Sequence, residues 1–517
     1  MVTITVYDGG ETIGGNKIYV EEGGRGLFLD FGKNFSRYSL FYEEYLKNRT
    51  TRGIHDLLQL GLIPPLPVYR KDLIPSDLTL PPLPEMSVSA VLLSHAHLDH
   101  CGNLGLLDPR IPVVATPMSV AILKAMQDTG KSSTESDTTY ISVRAPLAEE
   151  PLYLEVERGP YQGKDFFCTC PPSEELLQFL GRRPGQDGRN AKKIEPGICT
   201  HFSGRCPPFT ISAYEVDHSI YGACGYVVRG DTTIAYSGDF RVHGRQAEKT
   251  RDFIHHAKEA SVLIIEGTRV PGEDRGDSPQ VTEQEVIETC CSSVEPLNGL
   301  VLADFSARNI ERMEAFSDIA AKCGRELVIT AKDAYMLHAM AQVDGIPRWK
   351  EVIVYDEITE HSKRKWEGEV VRTLPGIRYV THQEIHENPG GFLVCFSFFD
   401  LNHLLDIRPS GGHYLYSSCE PFNEEMEIDF RRLLSWLSFF GISPLGFRMI
   451  WNAYGDCIPV MERGFHASGH ASAEDILRVI EAIDPDHLIP VHTQAKWWFK
   501  NQFESVTDLR DGESIVF

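Results

Sequence analysis

The stretch Ser94-His95-Ala96-His97-Leu98-Asp99-His100 carries four candidate metal ligands within six residues, directly after an apolar strand pattern at residues 90–94. In extended chain, side chains two residues apart face the same way, so His95 and His97 can grip one cation. A turn after Leu98 would bring Asp99 and His100 back toward a second cation close by. Burying four such groups is costly unless they share a partner, since each polar atom needs one. The spacing reads as a metal centre at the end of a strand, not as a chance surface cluster.

Working outward, the chain before this stretch reads strand (residues 3–7), glycine turns (Gly9-Gly10 and Gly14-Gly15), then strands at 17–20 and 26–30. Between 36 and 86 lies a helical piece and then Pro64, Pro65, Pro67, Pro75, Pro81, Pro82 and Pro84, which exclude regular helix or central strand there. A rigid covering loop is the expectation. Downstream, a strand at 111–115 and a helix at 119–129 precede a segment, 145–208, rich in Gly, Pro and charge, which reads as an insertion. Strands follow at 210–216, 223–228, 232–236 and 262–265. From about Thr282 the style changes to a βαβ-like alternation: helix 283–294, strand 299–304, helix 309–323, strand 326–330, then strand 391–397 and helix 424–440. The chain closes with helix 473–483 and strand 487–491. No internal repeat of solenoid period is visible.

Four further acidic or histidine residues stand where predicted strands end: Asp30 in Phe-Leu-Asp-Phe-Gly, His218 in Val-Asp-His-Ser-Ile, Asp239 in Tyr-Ser-Gly-Asp-Phe and Glu266 in Ile-Ile-Glu-Gly-Thr. Late in the chain come His466-Ala-Ser468-Gly469-His470-Ala and His492 in Ile-Pro-Val-His-Thr. With the 94–100 stretch, these residues resemble the metallo-β-lactamase superfamily, and in particular its β-CASP branch, which includes ribonuclease J and the cleavage nuclease of mRNA 3′-ends. The segment from Asp304 to Asn309 resembles the turn that opens the branch's inserted domain.

The resemblance implies an α/β fold: a metallo-β-lactamase αββα sandwich with an inserted β-CASP βαβ-type domain. Its parts would be 1–281 (lactamase, with insertions at 36–86 and 145–208), 282–450 (β-CASP) and 451–517 (return to the lactamase domain). It implies two divalent metal ions, zinc being expected from the imidazoles. His95, His97 and His218 would hold the first, and Asp99, His100 and His492 the second. Asp239 would bridge them and Asp30 support them. Glu266 and His470 would form the catalytic pair with Asp239, His470 donating a proton to the leaving oxygen. His466, Ser468 and Gly469 would contact substrate. The expected activity is phosphodiester hydrolysis by a two-zinc-activated hydroxide, cutting single-stranded RNA, with single-stranded DNA as second candidate. A small-molecule ester, thioester or phosphodiester hydrolase is the alternative, and a non-catalytic scaffold is disfavoured because all seven ligands are present.

Three departures bear on substrate. Thr493-Gln494 stands where ribonuclease J usually has Gly-Glu, the stretch Arg408-Pro-Ser-Gly-Gly-His413 matches the usual substrate loop poorly, and few residues follow His492.

Composition sets bounds. The 517 residues are 42% hydrophobic and 24% charged, as in a globular protein with a sizeable core. A formal charge of −23 weighs against broad, sequence-independent attraction to nucleic acid, although one basic groove on an acidic body remains compatible with a nuclease. No signal peptide or membrane span is read, so a cytoplasmic home without membrane partners is expected, with room for a homodimer. The twelve cysteines read as free thiols. Cys168, Cys170, Cys199 and Cys206 form a weaker candidate for an extra structural zinc. The basic segment 181–193 reads as a solvated loop before a phosphate-contacting rim, and His243, His255 and His256 are given no role.

Overall fold

The computed structural model describes every residue except 44, 149, 151, 189–190, 272–279, 307, 359–363, 419–423 and 452–456. Arg189 of the basic segment, Ala307 of the strand-to-helix turn and Glu420 therefore lie outside the described residues.

The chain builds an αββα sandwich and a third sheet. The first sheet orders its strands Cys199–His201, Phe166–Cys168, Val113–Ala115, Val88–Leu92, Arg25–Leu29, Lys17–Glu22, Val2–Asp8 and Glu513–Val516. The second runs Arg205–Cys206, Phe209–Glu215, Cys224–Arg229, Thr233–Tyr236, Val262–Glu266 and His487–Val491. Alternation decides which face meets which layer. Val2, Ile4 and Val6 join Ile211, Tyr226, Ile234, Val262 and Ile264 in the core between the two sheets. Leu263 and Ile265 turn the other way, beneath helices Ala247–Ala257 and Ala473–Ile483. Covered on both faces, this parallel strand is apolar from Val262 to Ile265.

Two features depart from the sequence reading. The segment 145–208 is not wholly an insertion: Phe166–Cys168 pairs in parallel with Val113–Ala115, and Cys199–His201 pairs with it in turn. These strands are three residues long, too short for a period to register. The helix read from 119 begins at Pro117, with the Thr116 hydroxyl capping Ser119 N–H, because proline fits the first helical turn.

The third sheet is parallel throughout, in the order Tyr379–Val380, Ile353–Tyr355, Glu326–Ile329, Phe392–Cys395, Val301–Asp304, Gly412–Tyr416 and Ile442–Leu445. It is fastened to the sandwich where helix Ala331–Asp344 packs along helix Pro117–Thr129, with the Tyr335 hydroxyl donating to Asp128 at 2.7 Å. The return strand His487–Val491 lies parallel to Val262–Glu266, pairing Val491 with Glu266 and delivering residue 492 to the end of the second sheet. Among the described residues, no helix is long and apolar enough to cross a membrane.

Candidate metal centre

Two groups of ligand atoms meet at the carboxyl ends of the strands: His95, His97 and His218, and beside them Asp99, His100, Asp239 and His492. After strand Val88–Leu92 the chain bends at Ala96, and His97 stands at the start of the short helix Leu98–Cys101 that turns Asp99 and His100 inward. Glycines admit this turn. A Cβ on Gly32 would sit 1.6 Å from the Asp99 carbonyl oxygen, and one on Gly14 2.7 Å from Asp99 Cβ.

In the first group, His97 Nδ1 lies 3.0 Å from His95 Nε2 and 3.1 Å from His218 Nε2. Two nitrogens on one tetrahedral zinc stand roughly 3.3 Å apart, so the spacing fits a shared cation. In the second, His492 Nε2 is 3.1 Å from Asp99 Oδ2 and His100 Nε2 is 3.0 Å from Asp239 Oδ2. Asp239 Oδ2 also stands 3.7 Å from His95 Nε2 and 3.8 Å from His492 Nε2, between the groups. Among the described residues, His100 Nε2 and both Asp239 oxygens are buried with no hydrogen bond of acceptable geometry, their mutual 3.0 Å approach included. Orphaned polar atoms this deep are rare, and these are the donor types that divalent cations take. The residues fit the pair of cations.

Four of the five imidazoles are oriented through the opposite nitrogen. His95 Nδ1 meets Ser94 Oγ at 2.9 Å, His100 Nδ1 meets Asp30 Oδ2 at 2.7 Å, His218 Nδ1 meets the Gly469 carbonyl at 2.6 Å, and His492 Nδ1 meets Thr268 Oγ1 at 2.9 Å. Each bond fixes the tautomer and frees Nε2 for the centre. Asp30 is the deepest support: it also accepts Ser94 N–H at 2.7 Å and the Tyr236 hydroxyl at 2.6 Å. Asp30 and His492 both take positive φ, 59° and 55°, a conformation that non-glycine residues hold only when their surroundings enforce it.

Burial, then repulsion by neighbouring histidines, holds His95 and His97 well below the usual imidazole range. Burial brings His218 down to about 4. Neutral imidazoles are the form that binds metal. His470 goes the other way. Burial lowers it, but the carboxylates of Glu266 and Asp239 outweigh burial and raise it to about 9. Its Nδ1 lies 3.0 Å from Glu266 Oε2 and 3.8 Å from Asp239 Oδ2.

Of the residues read as substrate contacts, His466 Nδ1–H donates to the Ser417 carbonyl at 3.1 Å, and Ser468 Oγ accepts His470 N–H at 3.1 Å. The Gly469 carbonyl is occupied by His218. Sequence reasoning missed Ser94, Tyr236 and Thr268. It also passed over His243, whose Nε2 lies 3.1 Å from the Ser468 carbonyl. Only the hydroxyl two residues after Glu266 left a local trace. The four cysteines do not gather: Cys168 and Cys199 lie 3.7 Å apart, while no ligand cluster among the described residues includes a cysteine.

Residues 70–168 match the family model for the metallo-beta-lactamase superfamily, and residues 461–496 match the Zn-dependent metallo-hydrolase RNA specificity domain. Over 95% of its length the chain is 23% identical to a ribonuclease J of Pyrococcus abyssi and 21% identical to one of Methanocaldococcus jannaschii, covering 90% of each. The chain fits the β-CASP, ribonuclease J-like family. A crystal structure of a protein of unknown function from Enterococcus faecalis V583 shares the fold across the whole of both chains, with a TM-score of 0.69 at 22% identity. The chain is a metal-dependent hydrolase, and the second matched family model ends four residues beyond His492, so the matched segment spans both His470 and His492.

Proposed function

We propose that this chain is a zinc-dependent ribonuclease that cuts single-stranded RNA. The observation that carries the reading is the meeting of two ligand groups at Asp239, with the Glu266–His470 pair beside them. In this reading His95, His97 and His218 would hold one zinc and Asp99, His100 and His492 the other, with Asp239 serving both. When bound, the two cations supply Lewis acidity, lowering the pKa of an attacking water and offsetting charge on the phosphoryl oxygens. His470, kept protonated by Glu266, gives its proton to the leaving ribose oxygen. His466 and Ser468 hold a phosphate neighbouring the scissile one. The domain division 1–281, 282–450 and 451–517 belongs to the same reading: the unit holding the parallel sheet roofs the centre, and the cleft between admits a single strand more easily than a duplex.

Support for RNA comes from the relatives named ribonuclease J and from the matched segment around His470 and His492. The test is incubation of zinc-loaded protein with end-labelled single-stranded RNA and DNA, resolving product lengths over time. RNA is expected to be shortened. Intact RNA and DNA alongside hydrolysis of a small phosphodiester or ester would replace this reading with the small-substrate one, which the formal charge of −23 favours.

A further inference from the structure

Behind the metal centre, Arg241 and Arg312 lie buried among Asp217, Glu283 and Glu311. Arg241 reaches Asp217 at 3.1 Å, Glu283 at 2.9 Å and Glu311 at 2.6 Å. Asp217 and Arg241 belong to the loops that carry His218 and Asp239. Glu283 opens helix Glu283–Val294, and Glu311 and Arg312 lie in the first turn of helix Ile310–Lys322, which leads out of the third sheet. Desolvating five ions is expensive, and apolar residues would fill such a space at least as stably, so this cluster calls for a role beyond stability.

The bonds of Arg312 indicate that role. Its Nε and Nη2 each donate to Glu283 at 3.0 Å. Nη1 donates to the Ser417 carbonyl at 2.7 Å and to Ser417 Oγ at 2.5 Å, and Nη2 also donates to the Ala467 carbonyl at 3.2 Å. Ser417 Oγ donates a hydrogen bond to the Phe465 carbonyl at 2.5 Å, while the Ser417 carbonyl accepts from His466. Arg312 thus governs residues 465, 466 and 467, directly or through Ser417. From the sandwich side, Arg241 takes the Ser468 carbonyl at 3.3 Å and His218 takes that of Gly469. The next residue is His470.

We propose that Arg312 is a positioning residue for His470: it fixes the 465–469 loop from the side of the third sheet, so that proton delivery to the leaving oxygen depends on how that unit is docked. This rests on the reading of His470 as general acid. A planar guanidinium with all five donors engaged holds the Ser417 and Ala467 carbonyls while pairing bidentately with Glu283, a combination that the three donors of a lysine cannot supply.

The experiment compares two substrates on zinc-loaded wild-type, Arg312→Lys, Ser417→Ala and His470→Ala proteins. Single-stranded RNA has a poor leaving group that needs a proton. Bis(p-nitrophenyl) phosphate expels a stabilised anion that needs none. Arg312→Lys is expected to lower kcat on RNA by about 10²-fold, the scale of a misplacement of roughly 1 Å. Ser417→Ala, a milder change that keeps the buried charges, is expected to lower it by about tenfold. Hydrolysis of the nitrophenyl ester and zinc content should stay near wild type for both. Equal losses on both substrates, or no loss on RNA from either variant, overturn the proposal. His470→Ala reports on the reading beneath it: a selective loss on RNA supports the general acid, whereas equal losses on both substrates remove that role and the proposal with it.

Discussion

Glu266 and His470, 204 residues apart in sequence, face one another at 3.0 Å between Oε2 and Nδ1. The same carboxylate accepts Phe240 N–H at 3.0 Å and the Thr268 hydroxyl at 2.5 Å, and Thr268 in turn orients His492. One buried carboxylate therefore ties the proposed acid to a proposed ligand of the second cation.

From this pairing follows a separation of effects. His470→Ala should keep two equivalents of zinc and the wild-type fold while turnover on RNA falls by roughly 10²–10⁴, the usual scale for a general acid. His470 also lies with His218 and Asp239 in a third group able to hold a cation. Zinc analysis decides: loss of metal together with activity would make His470 a ligand. Glu266→Gln, which keeps a hydrogen-bond acceptor but not the charge, should cost less.

Asp30 touches no proposed cation and yet should govern one. Its Oδ2 fixes His100 through Nδ1, and its other contacts anchor Ser94 and Tyr236. Asp30→Asn should weaken zinc binding at the second position by about 10–100-fold, the usual effect of losing a partner that orients a ligand. His492→Ala should weaken the same position more. Titration of apo-protein with zinc against a competing chelator should give two steps, with only the weaker one displaced in each variant.

How much of this was legible depended on distance along the chain. His95, His97, Asp99 and His100 could be read because a strand followed by a turn puts their chemistry within six residues. Asp30, His218, Asp239 and His492 could be read because each follows a predicted strand, the place where a sandwich delivers side chains. Tyr236 and Ser94 could not, since a tyrosine and a serine at strand ends are ordinary until Asp30 is seen between them. Arg241 and Arg312 were illegible for the same reason: their carboxylate partners, Asp217, Glu283 and Glu311, come from three separate segments. The strands Phe166–Cys168 and Glu513–Val516 were missed because strands of three or four residues carry almost no periodicity and are fixed by their partners.

Arg308 supplies a prediction about affinity. It precedes Asn309, the cap of helix Ile310–Lys322, and its charge reaches the centre, helping to lower His97 and opposing the rise of the Cys101 thiol. A cation there can meet a substrate phosphate on an otherwise acidic body. Arg308→Ala should raise KM for single-stranded RNA with little effect on zinc content. The slope of log KM against log salt should flatten by about 0.7, the value for one phosphate contact on a single strand. An unchanged slope would remove Arg308 from the substrate path.

Asp304 allows a test of stability at a residue that is not itself a proposed metal ligand. It ends strand Val301–Asp304, is buried, and accepts a hydrogen bond from the Tyr414 hydroxyl. Burial first, reinforced by the charge of Asp400, raises its carboxyl to about 7 against the bonds from Tyr414 and the Phe398 backbone. An unfolded aspartate titrates near 3.8. Between those two values the folded state holds a proton that the unfolded state has released, so folding loses stability as pH rises from about 4 to 7 and stays lower above. Asp304→Asn keeps an acceptor for Tyr414 and cannot ionise. Its melting temperature should therefore exceed that of the wild type by several degrees at pH values above 7, with the difference shrinking steadily as the buffer is taken toward pH 4. A difference that does not vary with pH would mean that Asp304 is ionised throughout, and that its charge is compensated inside the third sheet by groups other than those named here.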